Sequence, residues 1–249
     1  MGPKVKQLRD VTLIEMAEGP LLVVACDSLG AIGPKENDLV KVSGYVVGRL
    51  TSRGSLLEVM TTGARPLVVI NALAVEMIPT GEEIIAGIKD EVAQAGLERD
   101  LVITGSTEEN IPTKETGLGM TVIGTVTKEN LRVGSARSGQ LIACIGLPKV
   151  GSEVSLDDPE TVDLPLLKHL LELEYVSDII PVGSKGIGYE AGILAATAGL
   201  EVAFETDLDL DKSAGPATCL LISLWPERFE ELVRSVGKPV AAVGRLIGG

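Results

Sequence analysis

The chain has 249 residues, enough for one large domain or two of ordinary size, and 45% of them are hydrophobic, which excludes a disordered protein. Its 35 acidic and 22 basic residues give a net charge of −13. Nucleic acid and anionic membrane are therefore disfavoured as partners, because both bind basic surfaces. A site that recruits Mg²⁺ to carboxylates is compatible with this charge.

The cysteine pattern and the length of the apolar runs predict the cellular compartment. Cys26, Cys144 and Cys219 each lie in an apolar run and form no CxxC motif, which predicts reduced, buried thiols that serve packing. The N-terminal segment has no signal-peptide core, and no apolar run approaches the ~20 residues of a membrane span. We therefore expect a soluble, cytoplasmic protein.

The first part of the chain reads as alternating strands and helices. Apolar and β-branched runs predict strands over residues 11–16, 21–26, 67–73, 101–104 and 119–126. Between them, Val47, Leu50, Leu57 and Met60 fall near helical spacing in a segment that ends at Gly63. A second helix is predicted around Gly81–Ala95, and a long acidic loop follows residue 104.

The second part continues the alternation. Strands are predicted within residues 136–150 and at 200–204, 218–224 and 240–243, and helices at 165–173, through Ala198 and at 226–236. This order is typical of α/β or α+β layers. His169, the only histidine, lies between leucines and predicts helix packing, and the sequence offers no plausible Ser-His-Asp or Cys-His set around it, so a hydrolase triad is unsupported.

Asp27 is the first candidate for chemistry. It ends the apolar run LLVVACD, and the loop Gly30–Lys35 follows it with glycines at 30 and 33. An acid, a flexible loop, a lysine and a helix are a plausible set for holding a metal-bound phosphate. The pattern alone leaves an equal alternative, in which Asp27 caps the next turn.

These residues also resemble a known family. The order D-x-x-G-x-x-G, followed by a helix that ends E-x-x-x-x-G-A-x-P at residues 58–66, resembles the aminoimidazole ribonucleotide synthetase superfamily. The resemblance covers nearly the whole chain. It implies a two-domain α/β fold with residues 1–148 as an ATP- and Mg²⁺-binding dimerisation domain and residues 149–249 as a substrate domain. In that family the first domain forms a β-barrel across a homodimer.

The resemblance also implies a metal-ligand set. Glu58 stands where the family carries a metal-binding Asp, and Asp10 stands where thiamine-monophosphate kinases carry the second Asp of G-D-D. Together with Asp27, these residues are the expected Mg²⁺ ligands, and Lys35 is expected to assist as a phosphate contact. A solvated helix face for Glu58 and an ordinary surface lysine at 35 are the alternatives.

The loop after residue 104 departs from the family pattern. Thr104-Gly105-Ser106-Thr107 aligns with the family's G-G-(D/E)-T motif, which supplies a further acid, and Ser106 has no carboxylate. Gly105, Ser106 and Thr107 are expected to contact the nucleotide. Glu108 and Glu109 are the candidates to supply the missing charge, with a solvated acidic loop as the alternative. In the second domain, Ser184 and Lys185 of the run GSKGIG are the substrate-side candidates, although a plain helix N-terminus also explains the glycines.

The resemblance implies an ATP-dependent enzyme, and the loop DSLGAIGPK with the helix LEVMTTGARP is most similar to the α-ribazole kinases. These transfer the γ-phosphoryl group of ATP to the 5′-hydroxyl of α-ribazole in salvage of the cobamide lower ligand. A kinase of thiamine-monophosphate type or another synthetase of the superfamily is the alternative. A non-catalytic nucleotide-binding dimer is the alternative of another class, and the altered Ser106 favours it.

Overall fold

The computed structural model describes residues 2–249, which form thirteen strands and five helices. They divide into two units, one made of the chain up to Met60 together with Ala64–Glu129, the other of Thr61–Gly63 together with Asn130–Gly249. The predicted α/β class is thereby confirmed. Within residues 2–249, no helix has both the length and the apolar composition needed to cross a bilayer.

The first unit is built on a six-stranded sheet in the order β1-β2-β3-β8-β6-β7. Neighbouring strands are antiparallel except β6 and β7. Its elements are β1 (Lys4–Leu8), β2 (Val11–Glu15), β3 (Leu21–Gly30), the short β4 (Ile32–Gly33) and β5 (Val40–Lys41), α1 (Gly44–Thr61), β6 (Arg65–Leu73), α2 (Glu82–Gln94), β7 (Val102–Thr107) and β8 (Gly117–Val126). β1 lies in a basic segment for which the sequence predicted no strand.

Helix α1 covers one face of this sheet. Val23, Met120, Val122 and Val69 are fully buried on that face, and a Cβ at Gly124 would lie 2.7 Å from a methyl carbon of Val59 in α1. The opposite face carries half-exposed apolar residues at alternate positions, including Leu22, Val24, Val68, Ile70 and Ile123. The sheet is open and not closed into a barrel within one chain, so the predicted barrel across a dimer stays a prediction.

Helices α1 and α2 cross at two glycines. A Cβ at Gly48 would lie 2.0 Å from the carbonyl oxygen of Ile84, and one at Gly87 would lie 2.2 Å from that of Tyr45. The two backbones therefore touch, which explains glycine in the middle of helices where it is intrinsically unfavourable. Beside this crossing, the fully buried Glu91 accepts hydrogen bonds from three guanidinium nitrogens of Arg49 (2.6 Å) and Arg53 (2.7 and 3.2 Å).

The second unit is an antiparallel five-stranded sheet in the order β10-β12-β9-β13-β11. Helix α4 packs on it, and its core includes Ile142, Val182, Leu194 and Leu221. Its elements are β9 (Leu141–Ile145), α3 (Leu164–Glu172), β10 (Val176–Pro181), α4 (Gly186–Thr197), β11 (Leu200–Phe204), β12 (Leu220–Leu224), α5 (Phe229–Val236) and β13 (Val240–Gly248).

Three features differ from the sequence interpretation. The units divide after Glu129 and not near residue 148, because β9 is the central strand of the second sheet. Cys26 is exposed, because it lies on the open side of β3, whereas Cys144 and Cys219 are buried as expected. The strand β10 was not predicted.

Candidate functional site

Asp27 and Asp10 lie close together at one end of the first sheet. Asp27 is near the end of β3, and Asp10 lies in the turn that leads into the adjacent β2. Burial raises the pKa of Asp27, the Ser28 amide opposes this by donating to Oδ1 at 2.8 Å, and the charge of Asp10 raises the pKa further. Two carboxylates in this relation repel each other, and a cation relieves that repulsion.

Helix α1 brings Glu58 to the same neighbourhood. The Oδ2 atom of Asp27 lies 3.6 Å from where a Cβ on Gly54 would be, so the helix passes directly beside this carboxylate. Residues four apart are neighbours on a helix surface, so Glu58 lies one turn beyond Gly54 on the same side of α1. Its side chain is half-buried. Gly54, which lies beside Asp27, and Glu58 are thus one turn apart on α1.

The segment 105–107 lies elsewhere on the sheet. Asp27 pairs with Met120, Met120 with Asn71, and Asn71 with Gly105, so Gly105 is three strand spacings from Asp27, about 14 Å. Ser106 follows Gly105 and therefore faces the opposite side of the sheet. A Cβ at Gly105 would lie 1.9 Å from the carbonyl oxygen of Asn71, so packing alone explains this glycine.

Glu108 and Glu109 stabilise their own loop. Glu108 accepts hydrogen bonds from the backbone amides of Asn110 (2.7 Å) and Ile111 (3.1 Å), which lower the pKa of Glu108. Glu109 accepts from the Met77 amide and the Thr107 hydroxyl, both at 2.8 Å. Both carboxylates have structural partners, so neither compensates in an evident way for the missing acid at Ser106.

The loop between Gly30 and Asp38 is held by hydrogen bonds, although the sequence predicted a flexible loop. Asp38 is 4% exposed and accepts three hydrogen bonds of 2.7 Å, from the amides of Lys35 and Thr116 and from the Thr116 hydroxyl. A Cβ at Gly33, whose φ is +151°, would lie 2.3 Å from that hydroxyl oxygen. Gly33 is therefore required by this Asp38–Thr116 contact.

Gly30 is different, because nothing in the described chain requires glycine there. No atom lies within 4 Å of the position that a Cβ would occupy. The residue borders an open groove of about 450 Å³ that Ala74 and Gly117 also line. Space above an exposed backbone of this kind allows a ligand to approach closely.

Lys35 is paired with an acid that the sequence analysis did not single out. Its ammonium donates to Oε2 of Glu76, and the Thr80 hydroxyl donates to Oε1 at 2.6 Å. Burial raises the pKa of Glu76, but the hydrogen bonds from Lys35 and Thr80 outweigh it and bring the pKa to about 2. Glu76 lies three residues after the end of β6, and no sequence motif marks it.

The substrate-side candidates belong to the second unit. Ser184 and Lys185 are exposed immediately before α4, and the Lys185 ammonium lies 4.1 Å from the centre of the Tyr189 ring. A cation held over a ring face in this way is an attractive cation–π contact.

Mg²⁺ fits the donor chemistry at Asp27, although no three acidic, histidine or cysteine side chains among residues 2–249 converge closely enough to hold a metal by themselves. Mg²⁺ is commonly bound by one or two carboxylates together with substrate phosphates. The Asp27–Asp10 pair, whose mutual repulsion raises the pKa of Asp27, is a suitable protein half of such a site.

Two polar residues of the first unit, Asn71 and Glu91, interrupt apolar patterns in the sequence, although neither was predicted as a functional residue. Asn71 occupies an inward position of an otherwise apolar strand, and Glu91 lies on the apolar face of α2 with Ile84 and Ile88. A polar residue on a buried face needs a partner. The amide of Asn71 donates to the Thr104 carbonyl at 3.0 Å, and Glu91 binds the two arginines.

Comparison with known proteins agrees with this architecture. Residues 9–126 match the family described as AIR synthase related protein, N-terminal domain. The chain has the AIR synthase-related fold. Solved structures extend the likeness in fold beyond the matched residues. No curated protein sequence matches the chain.

Three solved structures illustrate the AIR synthase-related fold. A HypE–HypF complex is 15% identical with a TM-score of 0.66, and the match covers 96% of this chain and 87% of that one. Hydrogenase maturation protein HypE in complex with ATP is 17% identical with a TM-score of 0.65, covering 93% and 78%. PurLQS from Thermotoga maritima is 18% identical with a TM-score of 0.63, and the match covers all of this chain but 43% of that one.

Proposed function

We propose that this protein is an ATP-dependent kinase that transfers the γ-phosphoryl group to the 5′-hydroxyl of α-ribazole. The observation that carries the proposal is the pair Asp10 and Asp27 beside the Gly54 turn of α1, one helical turn from Glu58. It lies in a unit whose sequence matches the AIR synthase related N-terminal domain, and a protein of similar fold has been solved with ATP.

Asp10, Asp27 and Glu58 are the residues that would hold Mg²⁺, which when bound neutralises phosphate charge. Asp27 is partly desolvated, which strengthens its electrostatic interactions. Gly30 leaves the backbone open to a phosphate, and the Lys35 ammonium contributes a point charge. Phosphoryl transfer is catalysed mainly by such positioning and electrostatics.

The acceptor and the assembly belong to the same proposal. Ser184 and Lys185 at the start of α4 would contact the riboside, so the first unit would serve ATP and dimerisation and the second the substrate. The homodimer is supported by the half-exposed apolar face of the six-stranded sheet, which carries Leu22, Val24 and Ile123. Contiguous exposed apolar surfaces commonly mark protein contacts.

The direct test is to incubate the protein with ATP, Mg²⁺ and α-ribazole and to measure ADP and phosphorylated riboside. We expect equal amounts of the two products, and neither in the absence of Mg²⁺. Thiamine monophosphate is the parallel acceptor, because a kinase of that type is the alternative within the class. Phosphorylation of thiamine monophosphate but not of α-ribazole would contradict the proposed acceptor while retaining the kinase.

One observation favours a second candidate, a nucleotide-binding dimer without catalysis. Ser106 lacks a carboxylate and faces the side of the sheet opposite Asp27, and no three acidic, histidine or cysteine side chains among the described residues hold a metal by themselves. Tight binding of ATP without turnover on any riboside or thiamine phosphate would support this candidate and contradict the kinase.

A further inference from the structure

The Lys35 ammonium is neutralised inside the protein. It forms an ion pair with Glu76, and the Lys35 and Glu76 side chains are only 17% and 31% exposed. The second oxygen of Glu76 is held by the Thr80 hydroxyl at 2.6 Å. Because the pKa of Glu76 is about 2, this carboxylate is charged at any physiological pH. A ligand phosphate must therefore compete with the Glu76 carboxylate for the Lys35 ammonium.

The backbone of Lys35 is held by the loop, and its ammonium is held by Glu76. The Lys35 amide donates to the buried Asp38 at 2.7 Å, and Asp38 is in turn bound by Thr116. The four methylenes of lysine allow the ammonium to swing about this fixed point without any movement of the loop. The loop therefore determines where Lys35 can reach, and Glu76 determines where its ammonium rests.

We infer that Glu76 is a positioning residue that holds the Lys35 ammonium in an internal ion pair, which a nucleotide phosphate replaces on binding. The inference rests on the proposed function. Both side chains keep some exposure to solvent, and a triphosphate with several negative charges competes with a single carboxylate for the ammonium. A weakly charged ligand gains less from the same exchange, so Glu76 also favours polyphosphates over monophosphates.

The test is a double-mutant cycle on binding of ATP with Mg²⁺, measured by titration calorimetry on the full chain. Glu76→Gln keeps the size of the side chain and an acceptor for Thr80 but removes the charge. We expect it to tighten ATP binding by about threefold to fivefold, because no ion pair must be broken. Lys35→Met should weaken binding, and Glu76→Gln should then have no further effect in the Lys35→Met background.

The controls separate this inference from a structural role and from the proposed function. Asp100→Asn breaks the exposed pair with Arg65 in the same unit and should leave ATP binding unchanged. If Glu76→Gln alters binding equally with and without Lys35, or leaves it unchanged, the inference is overturned while the kinase proposal stands. If the wild-type protein binds no ATP, the proposed function fails, and the inference fails with it.

Discussion

Among single residues, Asp27 is proposed to bind metal, and its ionised carboxylate lowers the stability of the folded protein. Burial and Asp10 raise the pKa of Asp27, so the folded protein holds this proton more tightly than the unfolded chain does. Stability is therefore lost as pH rises from the ordinary pKa of 3.8 through the raised pKa, and it stays lost at neutral pH. A bound divalent cation would restore it.

We predict that Asp27→Asn has opposite effects on stability and activity. Without divalent metal at neutral pH the variant should unfold at a higher temperature than the wild type, and the difference should disappear in acid. Millimolar Mg²⁺ with ATP should stabilise the wild type more than the variant, and the variant should lose turnover. Thermal scans with and without Mg²⁺ measure this, and equal Mg²⁺ stabilisation of both proteins would refute the ligand role.

The two glycines of the loop after β3 should respond differently to alanine. At Gly30 an added methyl meets no atom of the chain, so we expect a stability change within about 0.5 kcal/mol and ATP binding weakened by about tenfold or more. At Gly33 the methyl would meet Thr116 and Asp38, and we expect a loss of about 1–3 kcal/mol.

Urea unfolding and ATP titration of the two glycine variants distinguish these effects. Unchanged ATP affinity in Gly30→Ala would show that the open backbone at residue 30 does not serve the nucleotide.

At the scale of elements, helix positions follow from periodicity, but helix packing depends on particular glycines. The apolar spacing of Val47, Leu50 and Leu57 predicts α1, which spans Gly44–Thr61. Spacing alone does not identify the contact of Gly48 and Gly87 with the facing helix, because that contact joins residues far apart in sequence. The same reason hides the pairing of Lys35 with Glu76, which are 41 residues apart.

We predict that Gly87→Ala destabilises the first unit by about 1–3 kcal/mol, because its methyl group would lie 2.2 Å from the Tyr45 carbonyl oxygen. Gly192→Ala in α4 is the matched control: its methyl meets nothing within 4 Å, so it should stabilise by about 0.5–1 kcal/mol. Chemical denaturation of both variants provides the comparison, and equal behaviour would contradict backbone contact at the helix crossing.

For the whole molecule, we expect the open face of the six-stranded sheet to form the contact between the two subunits of a homodimer. Ile123→Lys places a charge among the half-exposed apolar residues of this face. We predict that it converts a homodimer into a monomer in sedimentation velocity. Ile247→Lys, at an exposed position on the other unit, should leave the dimer intact. A wild-type protein that sediments as a monomer would remove the basis for the predicted barrel.

The α/β class, most helices and strands, and the resemblance to the AIR synthase-related proteins could be predicted from the amino-acid sequence. These depend on short-range periodicity and on contiguous motifs, which a single chain displays directly. Glu58 could also be predicted as a candidate, because it stands at a fixed spacing before the G-A-x-P motif where the family carries a metal-binding Asp.

Which of the candidate site residues lie near one another depends on the fold and could not be predicted from the sequence. The strand order separates Ser106 from Asp27, and Cys26 is exposed because it lies on the open side of β3. The fold also places Lys35 beside Glu76 and Gly33 beside Asp38. The central position of β9 moved the division of the chain to residue 129. Such contacts join residues distant in sequence, and the order of strands in the sheet sets their distances.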